Sequence, residues 1–377
     1  VMNRQNVNDD RWRRVYIEFH TNAYNGTAKG TICLVTTTGA TTYQTEYATI
    51  LGDKVEADMS LIDDLFEYPW ALRSNPYTSA YGAISTGNND NEFDATIIEV
   101  AFHDNIEDAA NLLNAKVRNA VARSTLQGMI MFLNWLPGST VPLAFLPDPP
   151  ENVRAVNNGQ GNIVVSWTAP PSGGANGGAA AGYRVYRSSN GYGFGQGLDV
   201  GNALSTTLAD VPPGTTTYLR VTAYNAGGES LPSRTMVVRR EPDASTQLLI
   251  VDGYNRVSRH QNVVQVIPAG PMQRPIARKV NSFDYVVQHA TAMSAGGMAF
   301  DYAENSAITS GAVSLGNYRA VVWILGQEST NDKTFDAAEQ AAVTTYLNAG
   351  GNLFVSGSDI GYELAPDFWG RGYATEA

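Results

Sequence analysis

Two histidines and a glutamate stand where hydrolytic chemistry would need them. His20 closes the apolar-leaning run at residues 15–19 and leads into Thr-Asn-Ala-Tyr-Asn-Gly. Glu99 interrupts the apolar run of residues 96–101, and His103 follows four residues later. In an open α/β sheet, ligands bind at the carboxyl ends of strands. A carboxylate inside a buried strand is costly unless it is paired, hydrogen-bonded or poised for chemistry. Zinc-dependent hydrolysis uses imidazole and carboxylate ligands, plus a carboxylate that takes the proton from bound water. Taken bare, the same residues fit a surface or hydrogen-bonded His20 and a capping or salt-bridged Glu99.

Other reactive types are sparse. Cys33 is the single cysteine and lies in the apolar run Thr-Ile-Cys-Leu-Val, which predicts a buried, inert thiol. One cysteine excludes an intrachain disulfide and a cysteine-rich zinc site. Ser356 and Ser358 follow a strand-like run, but without the Gly-x-Ser-x-Gly frame they read as a turn. Asp252, Gly253 and Asn255 end another buried run and form a candidate polar site of unknown ligand. Neither phosphate-loop nor dinucleotide glycine spacing is present.

The elements that must position these residues fall into three segments. Residues 15–19 and 31–36 read as strands, and residues 44–65 carry apolar side chains at helical spacing. Residues 94–102 read as a buried strand, and residues 106–136 as one long amphipathic helix. A proline-rich linker follows, and the period then changes to two, in short strands separated by Gly, Pro and Ser turns. Within this all-β stretch the tract Ser-Gly-Gly-Ala-Asn-Gly-Gly-Ala-Ala-Ala-Gly predicts a mobile loop. Beyond Thr246 strand and helix alternate again, with the state of the run around His289 open.

Each segment resembles a known family. The stretch Val-Tyr-Ile-Glu-Phe-His-Thr-Asn-Ala-Tyr-Asn-Gly-Thr-Ala-Lys-Gly-Thr, followed by Ile-Ile-Glu-Val-Ala-Phe-His-Asp-Asn-Ile-Glu-Asp-Ala-Ala-Asn-Leu-Leu, is similar to the zinc-dependent N-acetylmuramoyl-L-alanine amidases. That resemblance implies His20 as a zinc ligand and Glu99 as the carboxylate that activates water. It implies Ala23, Phe102 and Asn105 as residues shaping the site. The family's first zinc histidine and its zinc glutamate precede the first motif, and residues 1–14 hold neither type. The expectation is therefore an amidase-like domain over 1–140 lacking its N-terminal part, inactive as it stands. Zinc is expected only if the full-length protein supplies further ligands.

After the linker at 141–150, residues 151–240 resemble a fibronectin type III module. The resemblance rests on Pro-Asp-Pro-Pro-Glu-Asn-Val, Trp167, Gly-Tyr-Arg-Val-Tyr-Arg and the run from Pro212 to Ser230. Trp167, Tyr183, Val185, Tyr218 and Val221 are then core residues in preference to a sugar-stacking platform. Residues 246–377 look like the flavodoxin-like or class I glutamine-amidotransferase-like domains of bacterial surface or secreted proteins, C-terminally incomplete and without the amidotransferase cysteine. The expected fold class is multidomain: an α/β open sheet, an all-β immunoglobulin-like sandwich, then a doubly wound α/β domain.

Composition bounds the partners. The 377 residues carry 25 Lys+Arg against 36 Asp+Glu, a formal charge of -11, which argues against nucleic acid and anionic membranes. No run is long and apolar enough for a membrane span. The functional expectation is peptidoglycan amide hydrolysis in the full-length protein. The alternative is a non-catalytic extracellular or cell-surface structural or assembly protein. Expected partners are peptidoglycan or another cell-surface glycan or peptide, and self-assembly or protein partners, at an extracellular, cell-surface or periplasmic location.

Overall fold

The computed structural model describes residues 14–89, 92–240, 246–276, 284–329, 334–358 and 360. The N-terminal part runs β1 (Val15–Asn22), β2 (Ile32–Thr36), α1 (Gln44–Leu61), β3 (Tyr77–Ser79), α2 (Thr86–Asn89), β4 (Asp94–Phe102), α3 (Ile106–Leu112) and α4 (Ala115–Trp135). The all-β part contributes β5 (Glu151–Asn157), β6 (Ile163–Thr168), β7 (Gly182–Ser188), β8 (Leu198–Asp199), β9 (Ser205–Leu208), β10 (Thr216–Asn225), β11 (Gly228–Glu229) and β12 (Met236–Arg239). Next come β13 (Leu248–Asp252), the hairpin β14 (Val263–Ile267) and β15 (Gly270–Arg274), α5 (Tyr285–Ala295) and β16 (Asp301–Glu304). The last elements are α6 (Asn305–Thr309), β17 (Ala320–Gly326), α7 (Ala337–Asn348) and β18 (Asn352–Gly357). The chain forms two compact units.

The first unit contains the described residues up to Phe145, with 173–177 and 257–276. Its sheet has the order β1-β4-β2-β3, with β1 parallel to β4 and β2 antiparallel to β4. All nine residues of β4 are buried, as a central strand covered on both faces requires. Helices α1 and α4 supply Tyr47, Leu51, Val55, Val117, Val121 and Phe132 to one core with Ile98 and Val100. At Gly128 a Cβ would lie 3.0 Å from the Leu51 Cα, so the two helices approach closely only because that position is glycine. The expected single helix over 106–136 is two helices. Asn114 leaves the helical conformation and its side chain accepts from Lys116 N, capping α4.

Within the tract expected to be a mobile loop, residues 173–177 pack against the first unit's helices. Ala175 is buried, and Gln127 Nε2 donates to the Asn176 carbonyl at 3.1 Å. The hairpin β14–β15 joins the same unit through Arg259, whose guanidinium meets both carboxylate oxygens of Glu67 at 2.5 and 2.6 Å.

The second unit contains the rest and is built on a seven-stranded sheet, β18-β17-β13-β16-β5-β6-β9. Strands β18, β17, β13 and β16 are parallel, and β5, β6 and β9 are antiparallel. The join is β16 with β5, where Tyr302 faces Ala155 and Ala303 faces Arg154. The all-β sandwich and the α/β segment therefore share one sheet. They also share one core: Trp167, Tyr183, Val221 and Met236 belong to the same buried cluster as Ile250, Val286, Tyr302 and Ile324. The opposite face of the parallel strands buries Leu249, Val251, Val321 and Trp323 against α6 and α7. The run around His289 is helix α5, packed on the sandwich side.

A buried ion cluster fixes the join. Arg234, from the turn before β12, reaches Asp252 Oδ1 with Nη1 and Glu304 Oε1 with Nε, both at 3.0 Å. Tyr302 Oη donates to Asp252 Oδ2 at 3.0 Å, and Val153 N donates to Glu304 Oε2 at 2.9 Å. Removing one partner of such a buried set leaves uncompensated charge and costs about 3–5 kcal/mol. Arg234→Met is accordingly expected to lower the unfolding free energy of the second unit by about that amount in urea titration. A loss below about 1 kcal/mol would show that the cluster does not hold the join.

Candidate functional site

The parallel pairing of β1 with β4 sets His20 directly opposite Glu99. The two sequence-predicted residues, 79 positions apart, are thus brought together by strand register. Their surroundings differ. Glu99 is 3% exposed, and its Oε2 has no hydrogen-bond partner. Burial pushes its carboxyl above the ordinary glutamate range, against the lowering pull of His20 and His103. His20 is open to solvent, with 44% of its side chain exposed and Nε2 3.3 Å from Glu18 Oε2.

His103 sits at the mouth of the same strand pair. Its backbone N donates to the Asn22 carbonyl at 2.8 Å, and its Nδ1 lies 3.0 Å from Thr21 Oγ1. Asn105 is structural: its Oδ1 accepts from Glu107 N and Asp108 N to cap α3, and its Nδ2 donates to the Gly26 carbonyl. Phe102 is buried beneath the Arg73 guanidinium, 5.1 Å from the ring centroid.

Sequence reasoning missed Asp108. Its Oδ2 accepts from Phe102 N at 2.9 Å and Gly30 N at 3.0 Å. One buried carboxylate thereby ties the loop after His20 to the end of the Glu99 strand. The available signal was the acidic start of α3, which reads as an ordinary helix N-terminus.

A cleft of about 610 Å³ opens beside His20. Val100, Val117 and Val121 give it an apolar lining, and His20, Thr21 and Arg118 add polar groups; Glu99 is not among the lining residues. A zinc ion takes three protein ligands at a catalytic site. Among the described residues no group of three or more His, Cys, Asp or Glu side chains is placed to hold a metal. His20 and Glu99 are too few, so these residues do not fit a complete zinc centre.

The second candidate site is not open. Asp252 is 1% exposed and fully engaged by Arg234 and Tyr302. The loop after it is closed as well, because Glu328 Oε1 accepts from the backbone N of both Asn255 and Arg256. Gly253 lies under Trp323, where a Cβ would meet the indole Nε1 at 2.0 Å. Cys33 is buried, and desolvation pushes its thiol far up. Trp167, Tyr183, Val185, Tyr218 and Val221 are all buried core residues.

The fibronectin type III family matches residues 148–239, and the chain contains such a domain there. Solved structures similar to the chain include the chicken CNTN1 FN1-FN3 domains, at 24% identity over 26% of this chain and 33% of that one, TM-score 0.23. The FN5 domain of Drosophila Lar matches at 24% identity over 26% and 99%, TM-score 0.21. A fibronectin type III domain of human KIAA0970 protein matches at 23% over 26% and 80%, TM-score 0.22. The chain spans about a third of the CNTN1 fragment. No curated protein matches the chain.

Because Glu99 is held above its unfolded value, its contribution to stability is fully present below the unfolded pKa and is lost as pH rises through the folded one. Glu99→Gln is therefore expected to stabilise the first unit at pH 8 and to change little at pH 4. Thermal melts at the two pH values check this; equal effects at both would contradict the shift.

Proposed function

We propose that the first unit is an amidase-type domain directed at peptidoglycan and that, in the full-length protein, it cleaves the amide between muramic acid's lactyl group and L-alanine. The observation that carries this reading is Glu99, a desolvated carboxylate with one unpartnered oxygen set in register with His20. Amide hydrolysis needs a group that takes a proton from water and returns it to the leaving nitrogen, and such a group works best with a pKa near the working pH. Burial moves Glu99 in that direction. His20, exposed at the cleft, is the residue that would join a metal if the full-length protein supplies further donors; with the described donors alone the unit is inactive. Its resemblance to zinc amidases supports the substrate class.

A non-catalytic reading is favoured by a different observation. The fibronectin type III domain shares a sheet and a core with the α/β segment, which resembles flavodoxin-like and amidotransferase-like domains. Modules of this family space and orient neighbours more often than they catalyse, and they are typically extracellular. No helix among the described residues is long and apolar enough to cross a membrane. On this reading the protein is a cell-surface assembly component.

The two readings separate in one experiment. Purified peptidoglycan is incubated with the full-length protein, and new N-terminal alanine is counted. The amidase reading expects release that falls at least 100-fold in Glu99→Gln. No release by the wild type, or equal release by the variant, would contradict it, and the former favours the assembly reading.

A further inference from the structure

The carboxyl edge of the parallel strands carries one row of residues in register: Glu304, Asp252, Ile324 and Ser356. This is the edge at which open α/β sheets bind ligands. Arg234 engages both acidic members of the row. Ser356 is left at its outer end, half-buried, and a histidine reaches it from α5. His289 Nε2 lies 2.8 Å from Ser356 Oγ, and His289 Nδ1 lies 2.9 Å from the Tyr285 carbonyl oxygen.

The second contact fixes the direction of the first. A carbonyl oxygen only accepts, so Nδ1 carries the proton and, in the neutral ring, Nε2 is the acceptor. The Ser356 hydroxyl therefore donates to Nε2. A hydroxyl donating to an imidazole whose far nitrogen is anchored by a third group is the arrangement that activates a serine nucleophile.

The pair is held in place from both sides. Helix α5 is tied to the sandwich by Tyr192 Oη, which donates to Asp284 Oδ2 at 3.1 Å, and by the Thr216–Ser294 hydroxyl contact at 2.6 Å. Immediately after Ser356 the strand ends at Gly357 (φ +152°), where a Cβ would meet Leu325 Cβ at 2.6 Å. Two residues before Ser356, Phe354 is 58% exposed, an apolar contact for a bound acyl group.

We propose that Ser356 and His289 form a nucleophile–base pair for carboxylic esters with an apolar acyl group. Ser356 Oγ attacks the acyl carbon while its proton passes to His289 Nε2. The adduct collapses, and the alcohol leaves with that proton. Water then attacks the acyl-serine, delivers a proton to Nε2, and Ser356 departs with it as the carboxylic acid is released. The step needs no oxidant, reductant or metal, and it does not depend on the amidase reading of the first unit.

The test treats the full chain with a fluorophosphonate and maps the adduct by peptide mass, with p-nitrophenyl butyrate hydrolysis as a second readout. The expected result is modification of Ser356 in the folded chain, at least 100-fold faster than in urea and faster than at Ser358. His289→Gln keeps a hydrogen-bonding side chain but cannot carry the proton as imidazole does. It should keep the melting temperature within a few degrees and lower both labelling and hydrolysis about 100-fold or more. Ser356→Ala should abolish both. An unlabelled Ser356 in the folded wild type, or labelling undiminished in a folded His289→Gln, would overturn the proposal and leave the contact as a tether of α5 to β18.

Discussion

The second unit depends on a guanidinium placed almost out of water. Arg234 has 18% of its side chain exposed and sits between Asp252, which is buried, and Glu304, whose side chain is 13% exposed. Desolvation works against the charge, but Asp252 and Glu304 more than offset it and hold the guanidinium firmly protonated. Burial likewise pushes both carboxyls up while Arg234 pulls them down. Such clusters rarely add net stability over an apolar core of similar volume, but breaking one is costly. Here the cation comes from the fibronectin type III domain, and the anions come from the ends of two α/β strands. Val153 N on Glu304 Oε2 at this point, and the Asn157 backbone and side-chain N–H groups on Asp301 Oδ1 further along, tie β5 to β16 by directional hydrogen bonds.

The same cluster redistributes what the sheet can do. The strand-end carboxylate expected to mark a ligand site is consumed by structure, and the backbone amides after it are consumed by Glu328. What the edge still offers lies one strand beyond β17, at Ser356 and His289. In the first unit the logic is reversed. Asp108 does the structural work of holding the loop and strand end together, while Glu99, equally buried, keeps one oxygen without a hydrogen-bond partner.

Much of this was legible in the sequence wherever the signal was local. The period-two strands, the Trp167 core position and the proline-glycine turn define the fibronectin type III domain without any long-range information. The apolar run around Glu99 and the strand leading to His20 were equally readable, though that the two pair in register is a property of the sheet. Helix 106–136 broke because Asn114 is a better cap than a helix interior residue, a competition that apolar periodicity does not register. The packing of the glycine-rich tract at 173–177 is not legible in composition, because buried Ala175 and the Gln127–Asn176 bond belong to tertiary structure. The bonds Arg234–Asp252, Asp108–Gly30 and His289–Ser356 join residues 18, 78 and 67 positions apart, and nothing in a single sequence couples such positions.

The fibronectin type III domain and the α/β segment form one cooperative unit joined through β5, β16 and Arg234. Native-state hydrogen exchange on the full chain tests it most directly, because the slowest amides report the free energy of global opening. Core amides of β6 and β10 and those of β13 and β17 are expected to exchange with the same opening free energy and to respond alike to denaturant. Protection in β6 and β10 that persists after β13 and β17 have opened would contradict it, and would show a sandwich that stands alone.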